Sequence, residues 1–175
     1  MTEFIDVDQF RKLLKGKFVI VFGGYSGLGY ENPEAVRDEV RKNLENLKVR
    51  YGDRLIVVSG ATSVGIGLVY EVAREMGVST LGIVSDQVNS EDVSRFCEYV
   101  LLVSDPHGTW EVKTENGDSY MVEAARYGEM IYFGGGQVAN SEIMEARLKG
   151  IAVTVLSDFM PDPEIIKLKM KNKGT

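Results

Sequence analysis

The chain has 175 residues, a formal net charge of −6 and a pI near 4.9. That length suits one domain that folds without disulfides or metal, and the acidic balance excludes the basic face of a nucleic-acid binder. No apolar run approaches the roughly 20 residues that span a bilayer, and the single Cys97 has no partner for an internal disulfide.

Met1–Asp8 is acidic and lacks the cationic start and apolar segment of a signal peptide. With one unpaired thiol, this fits a reducing, cytoplasmic setting. The first apolar run, Phe18–Phe22, predicts a strand. Asn32-Pro33-Glu34 then supplies a capping side chain, a proline for the first helical position and an acid for the first turn. Val36, Val40, Leu44 and Leu47 follow at helical spacing. Leu55–Val58 predicts a second strand, and Ile66, Val69, Tyr70, Ala73 and Met76 the stripe of a helix that Gly77 ends. Thr80–Val84 is a third strand, followed by a short helix from Ser90 to about Glu98. Tyr99–Val103 and Met130–Phe133 are a fourth and a fifth, with a helix over Asn140–Lys149 behind them. Ile151–Leu156 is a sixth, and Asp162-Pro163-Glu164 starts a last helix. Its alternating Lys167, Lys169, Lys171 and Lys173 read as a solvated or frayed tail.

Continuous apolar strands alternating with helices predict a parallel sheet covered on both faces. Right-handed crossovers make this a doubly wound α/β fold of about six or seven strands, one Rossmann-like domain over 1–175. One stretch breaks the rhythm. Trp110–Thr114, Asn116-Gly117 and Ser119–Val122 predict a β-hairpin insertion near 110–122. Its Trp110 and Tyr120 either pack across the two arms or cover a ligand's base or a partner subunit.

In such sheets ligands sit outside the carboxyl ends of the strands. Gly-rich loops stand there: Gly23-Gly24-Tyr25-Ser26-Gly27-Leu28-Gly29, Ser59-Gly60-Ala61-Thr62-Ser63-Val64-Gly65-Ile66-Gly67, and Gly134-Gly135-Gly136-Gln137. Glycine lets a backbone approach a ligand, and the helix start that follows offers free N–H groups that suit phosphate. Ser26, Thr62 and Ser63 add hydroxyl donors. The bland alternative is that glycine only makes a tight strand-to-helix turn. No loop carries the Gly-Lys-Ser/Thr end of a P-loop. No acid closes the second strand where a dinucleotide's ribose would be held, so an ordinary NAD site is not expected.

Ser85-Asp86, Ser104-Asp105 and Ser157-Asp158 repeat at other strand ends. Ser and Asp favour turns and caps; of these acids, Asp105 is the one expected to face a ligand. The only histidine, His107, lies in a loop and cannot build a His-rich metal site, and no metal site is expected. Cys97 shares an apolar stripe with Val93 and Phe96 and reads as core.

The order of these motifs resembles the Lonely Guy superfamily, the lysine-decarboxylase-like proteins, over roughly Phe18 to Asp158. Gly134-Gly135-Gly136-Gln137-Val138-Ala139-Asn140-Ser141-Glu142 matches that family's PGGxGTxxE motif in its glycine pair and Glu142. Ser59-Gly60 through Gly65-Ile66-Gly67, continuing to Val72-Ala73, resembles its GGGxxGxMxxVA segment, and Phe22–Ser26 its opening phosphate loop. The resemblance implies a homodimer. For members that are phosphoribohydrolases of nucleoside 5′-monophosphates, it implies a catalytic Glu142 paired with an arginine. The departures are that Gly134 replaces the proline, Val138 the third glycine and Ala139 the threonine. The family's Arg-Lys pair is missing, and Arg126 is the only nearby stand-in. Glu142 equally suits a helix start without chemistry.

Three functions follow as expectations. One is a carrier or sensor that binds a nucleotide or another small phosphorylated ligand through Gly23, Gly24, Tyr25, Ser26, Gly60, Thr62, Ser63, Gly65, Asp105, Gly134, Gly135, Gly136 and Gln137. The second is a phosphoribohydrolase using Glu142 and Arg126. The third is a structural subunit of an assembly. None involves nucleic acid or membrane.

Overall fold

The computed structural model describes residues 1–173, the last of them by its backbone. The central sheet is built from β1 (Glu3–Ile5), β2 (Phe18–Gly24), β3 (Leu55–Gly60), β4 (Ser79–Ser85), β5 (Tyr99–Val103), β6 (Gly128–Phe133) and β7 (Val153–Leu156). All seven strands are parallel, in the order β1-β5-β4-β3-β2-β6-β7. The helices are α1 (Val7–Leu14), α2 (Pro33–Tyr51), α3 (Leu68–Glu75), α4 (Tyr120–Ala125), α5 (Gln137–Leu148) and α6 (Pro163–Lys173). Among the described residues no helix is long and apolar enough to cross a membrane.

The doubly wound α/β fold is the one the strand pattern predicts. Its alternation is plain in β2. Ile20 and Phe22 point to one core layer, with Val36, Val40 and Leu44 of α2 and Val69 and Val72 of α3. Val19 and Val21 point to the other, with Phe10 and Leu14 of α1, Val122 of α4 and Ile143 of α5. Burying a side chain such as Phe22 completely stabilises the fold by roughly 1.5–3 kcal/mol. The α2 start is as read: Asn32 accepts the Ala35 N–H at 3.1 Å, with Pro33 behind it.

The sequence reading and the structure differ at both flanks and at two inner segments. β1 and α1 had no strand or helix assigned to them; an Asp6–Gln9 capping box starts α1. The segment after β4 is not a helix to Glu98. Only Ser90–Asp92 makes a 3₁₀ turn, because Val93 bridges to Thr62 and Ser94 N–H donates to Ala61 O. The Asn116-Gly117 turn does form, with Thr114 N–H donating to Asp118 O and a single bridge between Lys113 and Ser119. The return arm is helical, however. Ser119 Oγ accepts the N–H groups of Met121 and Val122 and caps α4. Tyr120 packs edge-on against Phe10 in the core.

β2 lies between β3 and β6, where the chain's winding reverses. A crevice opens at that switch point, beyond the carboxyl ends of the strands.

Candidate functional site

A cavity of about 370 Å³ fills the crevice, a volume within the range of small-ligand sites. Its floor is Phe22, Ser59, Ile83 and Ser85; its walls include Tyr25, Ser26, Gly60, Thr62, Trp110, Tyr132, Gln137, Glu142 and Lys169.

The first two glycine loops are largely packed against protein. A side chain on Gly23 would collide with the Tyr132 ring, its neighbour in the β2–β6 register. Gly24 is shut in by Tyr30, whose hydroxyl donates to Phe133 O at 2.7 Å and accepts Tyr25 N–H at 3.0 Å. Gly65, at φ +67°, lies against the carbonyls of Tyr25 and Ser26, and Ile66 N–H donates to Tyr25 O at 2.7 Å. The bland reading therefore holds for much of these loops: glycine lets them press on one another.

The third loop differs. Gly134 and Gly135 turn the chain at φ +64° and +121°, packed on Tyr25 and Ala139. Gly136 then has nothing within 4 Å of where a side chain would start. It begins α5 with no side chain capping the helix. The first-turn N–H groups of such a helix lack internal partners and carry the positive end of its dipole. Gly136, Gln137, Val138 and Ala139 all line the cavity.

Lys169 reaches the cavity from α6, its Nζ 3.2 Å from where a Gly27 side chain would start. The helix is seated on the first loop, with Asp162 N–H donating to Leu28 O and Ile165 against Gly29. Lys169 is the one basic side chain among the residues lining the cavity.

Glu142 is half-buried on α5, and Tyr132 Oη donates to its Oε2 at 3.0 Å. Burial pushes its carboxyl up to about 7, against the pull of the Tyr132 bond, with Glu145 and Glu111 adding repulsion. Burial, then the Glu142 charge, raises the Tyr132 phenol well above its ordinary range, so it stays a donor. A carboxyl near 7 in a cavity can take up or release a proton.

The structure thus brings Gly23, Gly24, Tyr25, Ser26, Gly60, Thr62, Gly136, Gln137 and Glu142 to one cavity. It does not bring Ser63, Gly65, Gly134, Gly135, Asp105 or Arg126 to the cavity wall. Ser63 N–H donates to Asp92 O. Asp105 is buried and turned inward. Its carboxylate accepts from Ser85 Oγ at 2.6 Å, Thr109 N–H at 2.9 Å, Thr109 Oγ1 at 3.1 Å and Trp110 N–H at 2.9 Å. Arg126 ends α4 and lies over the Tyr127 ring, just before the amino end of β6, whereas the cavity lies beyond the carboxyl ends of the strands. It is not among the residues that line the cavity with Glu142.

No protein-family model matches the chain, and no curated protein matches its sequence. Solved structures do match its fold. The molybdenum cofactor carrier protein of Chlamydomonas reinhardtii is 17% identical, over 90% of this chain and 86% of that one, with a TM-score of 0.58. The molybdenum cofactor binding protein of the phototrophic bacterium Rippkaea orientalis is 16% identical, over 90% and 85%, also at 0.58. The protein TM1055 is 20% identical, over 78% and 72%, at 0.53. At these identities the likeness establishes a shared Rossmann-like α/β fold.

Sequence reasoning passed over Lys169 and Tyr132. Lys169 was hidden in a run of alternating lysines. Tyr132 had a signal: a tyrosine one residue before the end of a buried strand, paired in register with a glycine that leaves room for its ring. Cys97 is core as expected, its thiol pushed up to about 12 by burial. Among the described residues no cluster of His, Cys, Asp and Glu could hold a metal ion.

Proposed function

We propose that the chain binds a small ligand that joins a flat heterocycle to a phosphate, and acts as its carrier. The observation that carries this reading is the uncapped start of α5, open to the cavity. Its first-turn N–H groups and Lys169 suit a phosphate. Trp110 and Tyr25 suit a flat ring, and the Glu142–Tyr132 pair offers hydrogen bonds to the ring's edge. Two proteins of similar fold are a carrier and a binder of the molybdenum cofactor. A phosphorylated pterin, like a nucleotide, presents a ring and a phosphate in one molecule. The Lonely Guy resemblance agrees with the fold and with the position of Glu142.

A panel of nucleoside 5′-monophosphates and phosphorylated pterins, followed by thermal unfolding and then chromatography, tests this. A ligand held at one hundred times its Kd raises stability by about 2.7 kcal/mol. A shift with the ligand recovered intact is expected; no shift with any member sinks the reading.

A second reading, phosphoribohydrolase, is favoured by one observation, the Glu142 carboxyl near 7 on the cavity wall. Free base and ribose 5-phosphate in the chromatogram would replace the carrier reading with it. Glu142→Gln should then abolish release and spare binding.

The assembly is read as a homodimer. The edge strand β7 is only partly covered; Val155 on it and Met144 and Leu148 on the neighbouring α5 stand exposed. Light scattering that gives the monomer mass at all concentrations would refute this. The lone, buried Cys97 supports a reducing, cytoplasmic setting.

A further inference from the structure

Trp110 is the chain's single tryptophan. Among the described residues it is also the one non-glycine residue with positive φ, at 64°. That region is disfavoured for a bulky L-residue, and such strain persists only where the surroundings hold it. The residue is 52% exposed, yet it lines the cavity. A large ring kept strained and wet at a cavity mouth is not there for the core.

What holds it is the Ser-Asp repeat at the ends of neighbouring strands. Asp105 follows β5, and Ser85-Asp86-Gln87 close β4. Asp105 N–H donates to Asp86 Oδ1 at 3.1 Å, and its carbonyl accepts from Gln87 Nε2 at 2.9 Å. Thus anchored, its Oδ2 takes both Ser85 Oγ and the Trp110 N–H, and its Oδ1 takes Thr109. These hydrogen bonds, Ser85's first, hold the carboxyl down at about 2, so it stays an ionised acceptor.

We infer that Asp105 is a positioning residue: it holds the Trp110 indole as a wall of the cavity against which the flat ring of the ligand stacks. The inference rests on the carrier reading and adds a ring contact distinct from the phosphate contacts at α5 and Lys169.

The test uses guanosine 5′-monophosphate, whose ring carries the same 2-amino-4-oxopyrimidine unit as a pterin, and inorganic phosphate as a ring-free probe. Both are titrated calorimetrically into wild type, Trp110→Gly and Asp105→Asn. Trp110→Gly should weaken the nucleotide about tenfold or more, the scale of a lost base–aromatic stack, and leave phosphate unchanged. Its fold should hold, since glycine accepts positive φ. In ligand-free Asp105→Asn the single indole should emit further to the red and be quenched more by acrylamide, and the nucleotide should weaken relative to phosphate. If Asp105→Asn does not fold, Ser85→Ala removes the shortest of the four contacts and is read in the same way. A packing role alone would lower the melting temperature without changing the nucleotide-to-phosphate ratio. That result, or an unchanged indole signal, overturns the inference and leaves the carrier reading standing. So does wild type that binds phosphate but not the nucleotide. Wild type that binds neither probe overturns the inference as stated for this ring, while the carrier reading stands or falls on the wider panel of nucleotides and phosphorylated pterins.

Discussion

Asp105 and Glu142 are acids that stand near one cavity in opposite conditions. Asp105 faces four donors and is held at about 2; Glu142 has a single phenol and is pushed up to about 7. The first is committed to architecture, since its carboxylate is directed at Ser85 at the end of β4 and at Thr109 and Trp110 of its own loop. The second is held half-desolvated with one partner, which costs stability and leaves a proton-exchanging group on the wall. An acid at a strand end or helix start is thus not one kind of feature; the number of donors around it decides what it is for.

The contrast can be broken in graded steps. Asp105→Ala should give the largest loss of stability, because it strands donors from Ser85, Thr109 and Trp110. Denaturant unfolding at pH 7 measures it, and a midpoint equal to wild type would show the loop to be held by something else. In wild type the carboxyl's contribution is present above its ordinary 3.8 and is lost as pH falls toward about 2.

Glu142 runs the other way. Its folded value lies above its ordinary 4.5, so the fold is favoured below that pH and loses stability as pH rises through about 7. Glu142→Gln should remove that decline and gain up to about 3 kcal/mol at pH 8. Parallel pH–stability curves for the two proteins would contradict this. Tyr132→Phe should cost about 1 kcal/mol and move the Glu142 titration upward, since the lost bond favoured the charged form. Carbon-detected NMR of the carboxyl reads this, and a downward shift would reverse the assignment. Arg126→Ala should change least, within about 0.5 kcal/mol, with ligand affinity unaltered in the same calorimetry. A loss of affinity would return Arg126 to the site.

The central sheet was legible in the sequence because its strands are continuous β-branched runs buried on both faces, as in Phe18–Phe22 and Leu55–Val58. β1 escaped because three residues, Glu3–Ile5, carry no usable period. The return arm after Asn116-Gly117 misled because Ser119–Val122 alternates acceptably as a strand, while the cap that makes it a helix is a single Ser119 hydroxyl. At the site, the glycine loops could be placed but not sorted. Whether Gly23 serves a ligand or makes room for Tyr132 depends on which residue lies beside it across the sheet. Asp105 was read as ligand-facing because sequence shows an acid at a strand end and not the four donors that turn it inward. Arg126 was chosen by proximity in the chain, which the length of β6 converts into opposite ends of the sheet.

Lys169 has a consequence for letting go. It rides on α6, whose Leu168 and Met170 stand largely exposed, whereas Val19–Phe22 of β2 are fully buried. Elements with few buried contacts open locally at a fraction of the global unfolding energy. Amide exchange should therefore be faster along α6 than along β2. If that one helix frays while the strands below stay shut, Lys169 leaves the cavity wall; on the carrier reading, the grip on an anion is then loosened without unfolding the cradle.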